Sequence, residues 1–155
     1  MEDERWAAFG FRVGVLHRLY LLCVRNLLAV AGVSVSLVPL LSELYHTDGI
    51  TQETLSGLVH LDKGSTARAI VRMERKGLVI RKENESNRRQ KLVHLTAKAK
   101  KMREIYFSPL YEMSRIMSKG LTPHEREQLM KFLDLMTENL KRELATQRKI
   151  NNRTV

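Results

Sequence analysis

"DKGSTARAIVRMERKGLVIRKENESNRRQKLVHLT", residues 62–96, decides the fold. Asp62 is a good N-cap, because its side chain can accept a backbone N–H that the first helical turn leaves unpaired. Gly77 marks the end of the same helix, since glycine takes the left-handed C′ conformation at little cost. Between them Ala67, Ile70 and Met73 recur at three-residue steps and are expected to face the core. That leaves Lys63, Ser65, Thr66, Arg68, Ala69 and Arg72 on the outer surface, with no acid before Glu74. "LVIRK" (78–82) and "KLVHL" (91–95) have the length and β-branched content of two strands. The loop joining them holds no apolar side chain and ends in Arg88, Arg89 and Lys91. A loop that only had to turn would need Asn84 and Asn87 for their backbone geometry, but not two adjacent arginines.

Upstream of this block, Thr51 caps a short helix, "QETLSGLV", with Leu55, Leu58 and Val59 expected to point inward. Before it, "SVSLVPLLSELYHTDGI" (34–50) reads as another helix with Pro39 early and a closing turn. The first helix is expected over about 5–31. Leu16, Leu19, Tyr20, Cys23, Leu27 and Ala31 share one face, yet Val13, Val15, Leu21, Leu22, Val24 and Leu28 make the others apolar too. A helix apolar nearly all round is buried on several sides, and in a chain of 155 residues a second subunit would cover it. Downstream, Thr96 opens a long helix carrying Met102, Ile105, Tyr106, Leu110, Met113, Ile116 and Met117, with Pro109 expected to bend it. Thr122, Pro123 and Glu125 form a capping box ahead of a last helix bearing Leu129, Phe132, Leu133, Met136, Leu140 and Leu144.

Two short helices, a basic helix and a hairpin in that order read as a winged helix-turn-helix. The expected fold is mainly α with a small β-hairpin wing. One domain spans 5–147: a winged core at about 36–96, flanked by N- and C-terminal dimerisation helices at about 5–31 and 97–147.

Charge points to the partner. Lys and Arg number 27 against 17 acids, a net charge of +10, which favours nucleic acid or an anionic surface. Arg18, Arg25 and Asn26 interrupt the stretch 13–33, and each arginine at a bilayer centre costs roughly 2.5–3.5 kcal/mol, so no membrane span is expected. Cys23 stands alone, which excludes a disulfide framework and fits a cytoplasmic protein. His17, His46, His60, His94 and His124 form no metal motif. "KGST" (63–66) reverses the order of a phosphate-binding loop. No cofactor, metal site or catalytic arrangement is expected, so the chain is not read as an enzyme.

Positive charge on one helical face suits the DNA major groove, where arginine binds guanine O6 and N7 together. A basic hairpin tip beside it can reach the neighbouring minor groove. The DNA-binding residues expected are therefore Lys63, Ser65, Thr66, Arg68, Arg72, Arg88, Arg89 and Lys91.

The same block resembles the signature of MarR-type regulators: a recognition helix ending in "L-E-x-K-G-L-V", then a wing closing with "D-x-R" and "L-T". The resemblance extends through the flanking helices over about nine-tenths of the chain. It implies a homodimeric transcription factor on a pseudo-palindromic operator. By motif position Arg89 matches the arginine that enters the minor groove, and Ser65, Thr66 and Arg68 match positions facing bases. Asn87 replaces the wing aspartate, which implies a wing held by hydrogen bonds alone. Many members release DNA when a small aromatic acid binds between the dimer helices and the winged module. Arg18 with Tyr106 and Tyr111 is the candidate site here. Some members sense oxidants through a cysteine near the start of the first helix, but the matching position is about Leu16, and Cys23 is expected to be a buried structural thiol.

The sequence thus reads as a homodimeric, sequence-specific repressor of transcription, released by an aromatic carboxylate. The alternative is a sequence-neutral architectural DNA- or RNA-binding protein using the same basic surface.

Overall fold

In chain order the elements are α1 (Glu2–Ala29), a 3-10 turn (Val35–Leu37), α2 (Val38–His46), β1 (Ile50–Thr51), α3 (Gln52–Leu58) and α4 (Lys63–Arg75), followed by β2 (Val79–Glu83), β3 (Lys91–Leu95), α5 (Ala97–Lys101), α6 (Arg103–Met117) and α7 (Pro123–Asn151). This computed structural model describes residues 2–29 and 32–151, and the side chains of 8–29 and 32–147. Residues 1–113 and 114–155 form two compact units.

Helix starts fall where side-chain acceptors meet unpaired N–H groups. Thr51 Oγ1 accepts the Thr54 N–H at 3.0 Å, Asp62 Oδ1 accepts that of Ser65 at 2.7 Å, and Thr96 Oγ1 accepts that of Ala99 at 3.1 Å. In the second unit the Thr122 N–H donates to Glu125 Oε2 at 2.7 Å while the Glu125 N–H donates back to Thr122 Oγ1 at 3.3 Å, a complete capping box.

Gly77, with φ +66°, ends α4. The Leu78 N–H reaches the Met73 carbonyl and the Gly77 N–H reaches that of Glu74, the two bonds of a Schellman stop. The same pair closes α3, from Leu61 to Ser56 and from His60 to Gly57. There the left-handed position is filled by His60 at φ +52°. Ser56 is buried and its hydroxyl donates to the Leu61 carbonyl at 2.6 Å, fixing the turn between α3 and α4.

The sheet is antiparallel, in the order β1-β3-β2. Val79 faces Leu95 and Glu83 faces Lys91, while Ile50 pairs with Val93 on the other edge. The expected hairpin is therefore three-stranded. β1 has only two residues, too few for any periodicity to reveal.

The core of the first unit gathers Val24 and Leu28 of α1, Leu40, Leu41 and Leu44 of α2, Leu55 of α3, Ile70 and Met73 of α4, Val79 and Val93 of the sheet, and Tyr106 of α6. Four expectations need correction. Leu58 is 47% exposed, because α3 ends there and its inward positions are Leu55 and Ser56. The helix expected over 34–50 starts as a 3-10 turn and ends at His46. Cys23 is exposed, since Val24 and Leu28 take the inward face of α1. The helix expected from Thr96 breaks at Met102, while Pro109 lies inside α6. At the break the Ala99 carbonyl receives the Tyr45 hydroxyl at 2.6 Å and the Met102 N–H at 2.9 Å. Ala31 lies outside the described residues.

Candidate nucleic-acid interface

Helix α4 turns its apolar stripe inward on Thr66, Ala69, Ile70 and Met73, all buried. Their spacing is i, i+3, i+4, i+7, the true helical period, whereas a three-residue step drifts around the axis. Thr66 and Ala69 therefore leave the outer face to which the sequence assigned them, and Thr66 is 0% exposed. Its Oγ1 is buried with no hydrogen-bond partner among the described residues. Ala67 is half-buried rather than in the core.

The outer face keeps Lys63, Arg68 and Arg72 exposed and Ser65 half-buried. Arg68 does not extend freely: its Nη2 donates to Ser65 Oγ at 2.9 Å. The Ser65 hydroxyl and backbone N–H, with the Arg68 charge behind them, hold the Asp62 carboxyl below the ordinary aspartate range. Asp62, Ser65 and Arg68 thus form one chain across the start of the helix. Lys63 is engaged as well, with its Nζ 2.8 Å from Glu53 Oε1. That contact lowers the Glu53 carboxyl and raises the Lys63 ammonium.

The wing tip is two consecutive turns. Asn87 N–H bonds the Asn84 carbonyl at 3.0 Å, and Gln90 N–H bonds the Asn87 carbonyl at 2.8 Å. Each asparagine also accepts the N–H two residues on: Ser86 to Asn84 Oδ1 at 3.0 Å and Arg89 to Asn87 Oδ1 at 3.2 Å. This is the side-chain-capped turn for which asparagine is suited. Arg88 and Arg89 occupy the two central positions of the second turn, both exposed. Asn87 holds the wing through its hydrogen bond to backbone. Lys91 is exposed at the start of β3.

Between α3, Lys63 and the wing lies a cleft of about 200 Å³ lined by Thr51, Gln52, Glu53, Lys63, Gln90 and Lys91. The sequence reading passed over Glu53. Its neighbour Lys63 is ten residues away, beyond any helical pairing rule.

The proposed ligand residues do not assemble as expected. Arg18 is exposed on α1, and no hydrogen bond, ion pair or ring contact joins it to either tyrosine among the described residues. Tyr106 is buried, and its hydroxyl donates to the Val38 carbonyl at 2.7 Å. Its proton so committed, it accepts from Ser42 Oγ at 2.8 Å. Tyr111 is exposed and stacks on Phe107 at 5.8 Å. The cation that meets these rings is Arg103, 4.9 Å from the Phe107 centroid. A cleft of about 400 Å³ is lined by Ser42, Tyr45, His46, Arg103 and Phe107. The signal for Arg103 was its place four residues before Phe107, one helical turn.

A basic helix set after a short helix and beside a sheet with a basic tip defines a winged helix-turn-helix, a DNA-binding class. The MarR family profile matches residues 33–91. The uncharacterized HTH-type transcriptional regulator YdgJ of Bacillus subtilis (strain 168) is 30% identical over 112 residues, 72% of this chain and 68% of that protein. A MarR transcriptional regulator from Methanosarcina mazei Go1 superposes with a TM-score of 0.79 at 30% identity, covering 86% of this chain and 90% of that one. A MarR family regulator of Listeria monocytogenes, solved in complex with 26mer DNA, has the same fold: its TM-score is 0.78 at 24% identity, over 85% of this chain and 88% of that one. The chain belongs to the MarR family and is a transcriptional regulator with a DNA-binding fold. Among the described residues no helix is long and apolar enough to cross a membrane.

Proposed function

We propose that this regulator is a cytoplasmic homodimeric repressor that reads a pseudo-palindromic operator and is released by a small aromatic carboxylate. The observation that carries the DNA reading is the outer face of α4, whose Lys63, Arg68 and Arg72 are exposed next to a turn that projects Arg88 and Arg89. Ser65 and Arg68 take the base-reading positions, Lys63, Arg72, Arg88 and Lys91 meet phosphates, and Arg89 enters the minor groove. That a Listeria protein of the same fold was solved with 26mer DNA supports DNA as the partner. Residues 5–147 act as one functional domain, with the winged core at about 36–96 and dimer-forming helices on either side.

The dimer reading is supported by large apolar side chains left in solvent on α1, among them Phe11, Leu16 and Leu19, and on α7, among them Phe132, Leu135 and Leu140. For the effector, Arg103 replaces Arg18 as the carboxylate partner. A cleft lined by the Arg103 cation, the Ser42 hydroxyl, His46 and the rings of Tyr45 and Phe107 fits an aromatic acid.

Selecting bound duplexes from a random pool tests the reading. An inverted repeat with half-sites about one helical turn apart is the expected outcome. Enrichment of no sequence, with equal affinity for random DNA or RNA, would leave the sequence-neutral alternative. Arg68→Ala should then cost roughly 1–3 kcal/mol and relax one base pair per half-site. A benzoate that acts as the effector should raise the melting temperature and lower operator affinity, and the operator should weaken benzoate binding by the same factor. Arg103→Gln should abolish both effects.

A further inference from the structure

Lys63 is exposed at the start of the α4 face proposed to meet DNA, yet its ammonium already has an anion. Glu53 Oε1 lies 2.8 Å from Lys63 Nζ, and the Gln52 side-chain amide donates to the Lys63 carbonyl at 3.5 Å. The ion pair borders the cleft between the helix-turn-helix and the wing. Two ammoniums, Lys63 and Lys91, share that cleft with the single carboxylate of Glu53. Carboxylate and phosphate offer a lysine the same thing, oxyanion acceptors for a compact point charge. We propose that Glu53 is a built-in stand-in for a DNA backbone phosphate: it holds Lys63 in the free protein and is displaced when a duplex enters the cleft, so it sets how tightly DNA of any sequence is held.

The exposure of the pair makes the exchange feasible. The two side chains are 78% and 68% exposed, and solvent-exposed ion pairs are weak enough to trade one anion for another. A buried pair would resist, because separating it strands a charge in a poor solvent. The mutual effect on the two groups, Glu53 lowered and Lys63 raised, has the hydrogen bond between them as its largest cause. The contact is thus direct. Neither residue is a cap or a core side chain, and removing the carboxylate leaves the Thr51 and Asp62 caps and the buried Leu55, Ile70 and Met73 of α3 and α4 in place.

The inference rests on the DNA-binding reading, and the test separates the two. Affinity of the full-length protein for a labelled random-sequence duplex is measured by fluorescence anisotropy over a series of salt concentrations. The proteins compared are wild type, Glu53→Gln, Lys63→Gln and the double variant. Glu53→Gln should bind tighter, by up to about fivefold, the weight of an exposed ion pair. Lys63→Gln should bind more weakly and reduce the salt slope by about 0.9, the loss of one phosphate contact. In the double variant the gain from Glu53→Gln should vanish. An unchanged or weakened Glu53→Gln overturns the proposal. So does a gain of equal size with and without Lys63, which would make Glu53 a repelling charge and nothing more. Wild type showing no salt-dependent duplex binding would defeat the DNA reading, and this inference with it.

Discussion

Thr66 carries into the core a hydroxyl that has no hydrogen-bond partner among the described residues. A buried polar group left unpaired costs roughly 1–3 kcal/mol, so Thr66→Val, which keeps the shape and removes the hydroxyl, should raise stability by up to about that amount. Chemical denaturation would read it as a higher midpoint at unchanged slope. Duplex affinity should stay the same, because the side chain is buried and lies off the outer face of α4 proposed to meet DNA. A variant that melts like wild type but loses operator affinity would return Thr66 to the groove and undo the orientation of α4. The residue also marks what the sequence could and could not reveal. Asp62, Thr51, Thr96 and Gly77 were legible because capping acts within three or four residues of chain. The phase of α4 was not, because Ala67, Thr66 and Ala69 are all small and only the surrounding packing chooses among them. Glu53 escaped for the same reason at longer range.

The wing is the element in which substitution by charge and substitution by geometry separate. Asn87 Oδ1 accepts the Arg89 N–H at 3.2 Å, and aspartate could accept the same bond. Asn87→Asp should therefore preserve the turn and the melting temperature. It adds a negative charge between Asn84 and two exposed arginines, so duplex affinity should fall modestly for all sequences alike. Tighter binding would mean that the acid orients an arginine instead.

At the other end of the sheet Asp48, in the loop before β1, ties β3 to α5. Its Oδ1 accepts the Leu95 N–H and its Oδ2 pairs with Lys100, both at 2.8 Å, while His94 Nδ1 lies 3.8 Å away. Burial alone would raise the Asp48 carboxyl, but Lys100 and the Leu95 N–H outweigh it and leave it below the ordinary range. A carboxyl lowered on folding stabilises the protein above the unfolded aspartate value of about 4, and the stability is lost as pH falls through the lower folded value. Asp48→Asn should cost at most about 1 kcal/mol at neutral pH. Its unfolding curves should converge on those of wild type in acid, and a constant gap down to low pH would exclude the ionic account. Helix–hairpin order was readable from length and residue type, but the break at Met102 was not. It depends on a hydroxyl from Tyr45, more than fifty residues earlier in the chain.

At the scale of the molecule the unexplained surface is apolar. Helix α1 buries Val24 and Leu28, yet leaves Phe11, Leu16, Leu19 and Leu22 more than half exposed. Full burial of one such side chain is worth about 1.5–3 kcal/mol, so a handful of them is enough to hold two chains together at low concentration. The sequence announced this surface, because no single stripe could be drawn on a helix apolar all round. It could not assign Cys23, which lies among the exposed positions of the same helix. The dimer reading makes a sharp demand on Leu19, exposed on α1 and not among the residues proposed to meet DNA. Leu19→Glu places a charge where the second copy is proposed to pack, and an unpaired buried charge costs several kcal/mol. Sedimentation at low micromolar concentration should then find wild type as a dimer and the variant shifted strongly toward monomer. Affinity for a full palindrome should fall steeply, while the weaker affinity for an isolated half-site should change little, since α4 and the wing are intact. A Leu19→Glu protein that remains a dimer with full palindrome affinity would place the second subunit elsewhere, and a wild type that is monomeric and stable would remove it altogether.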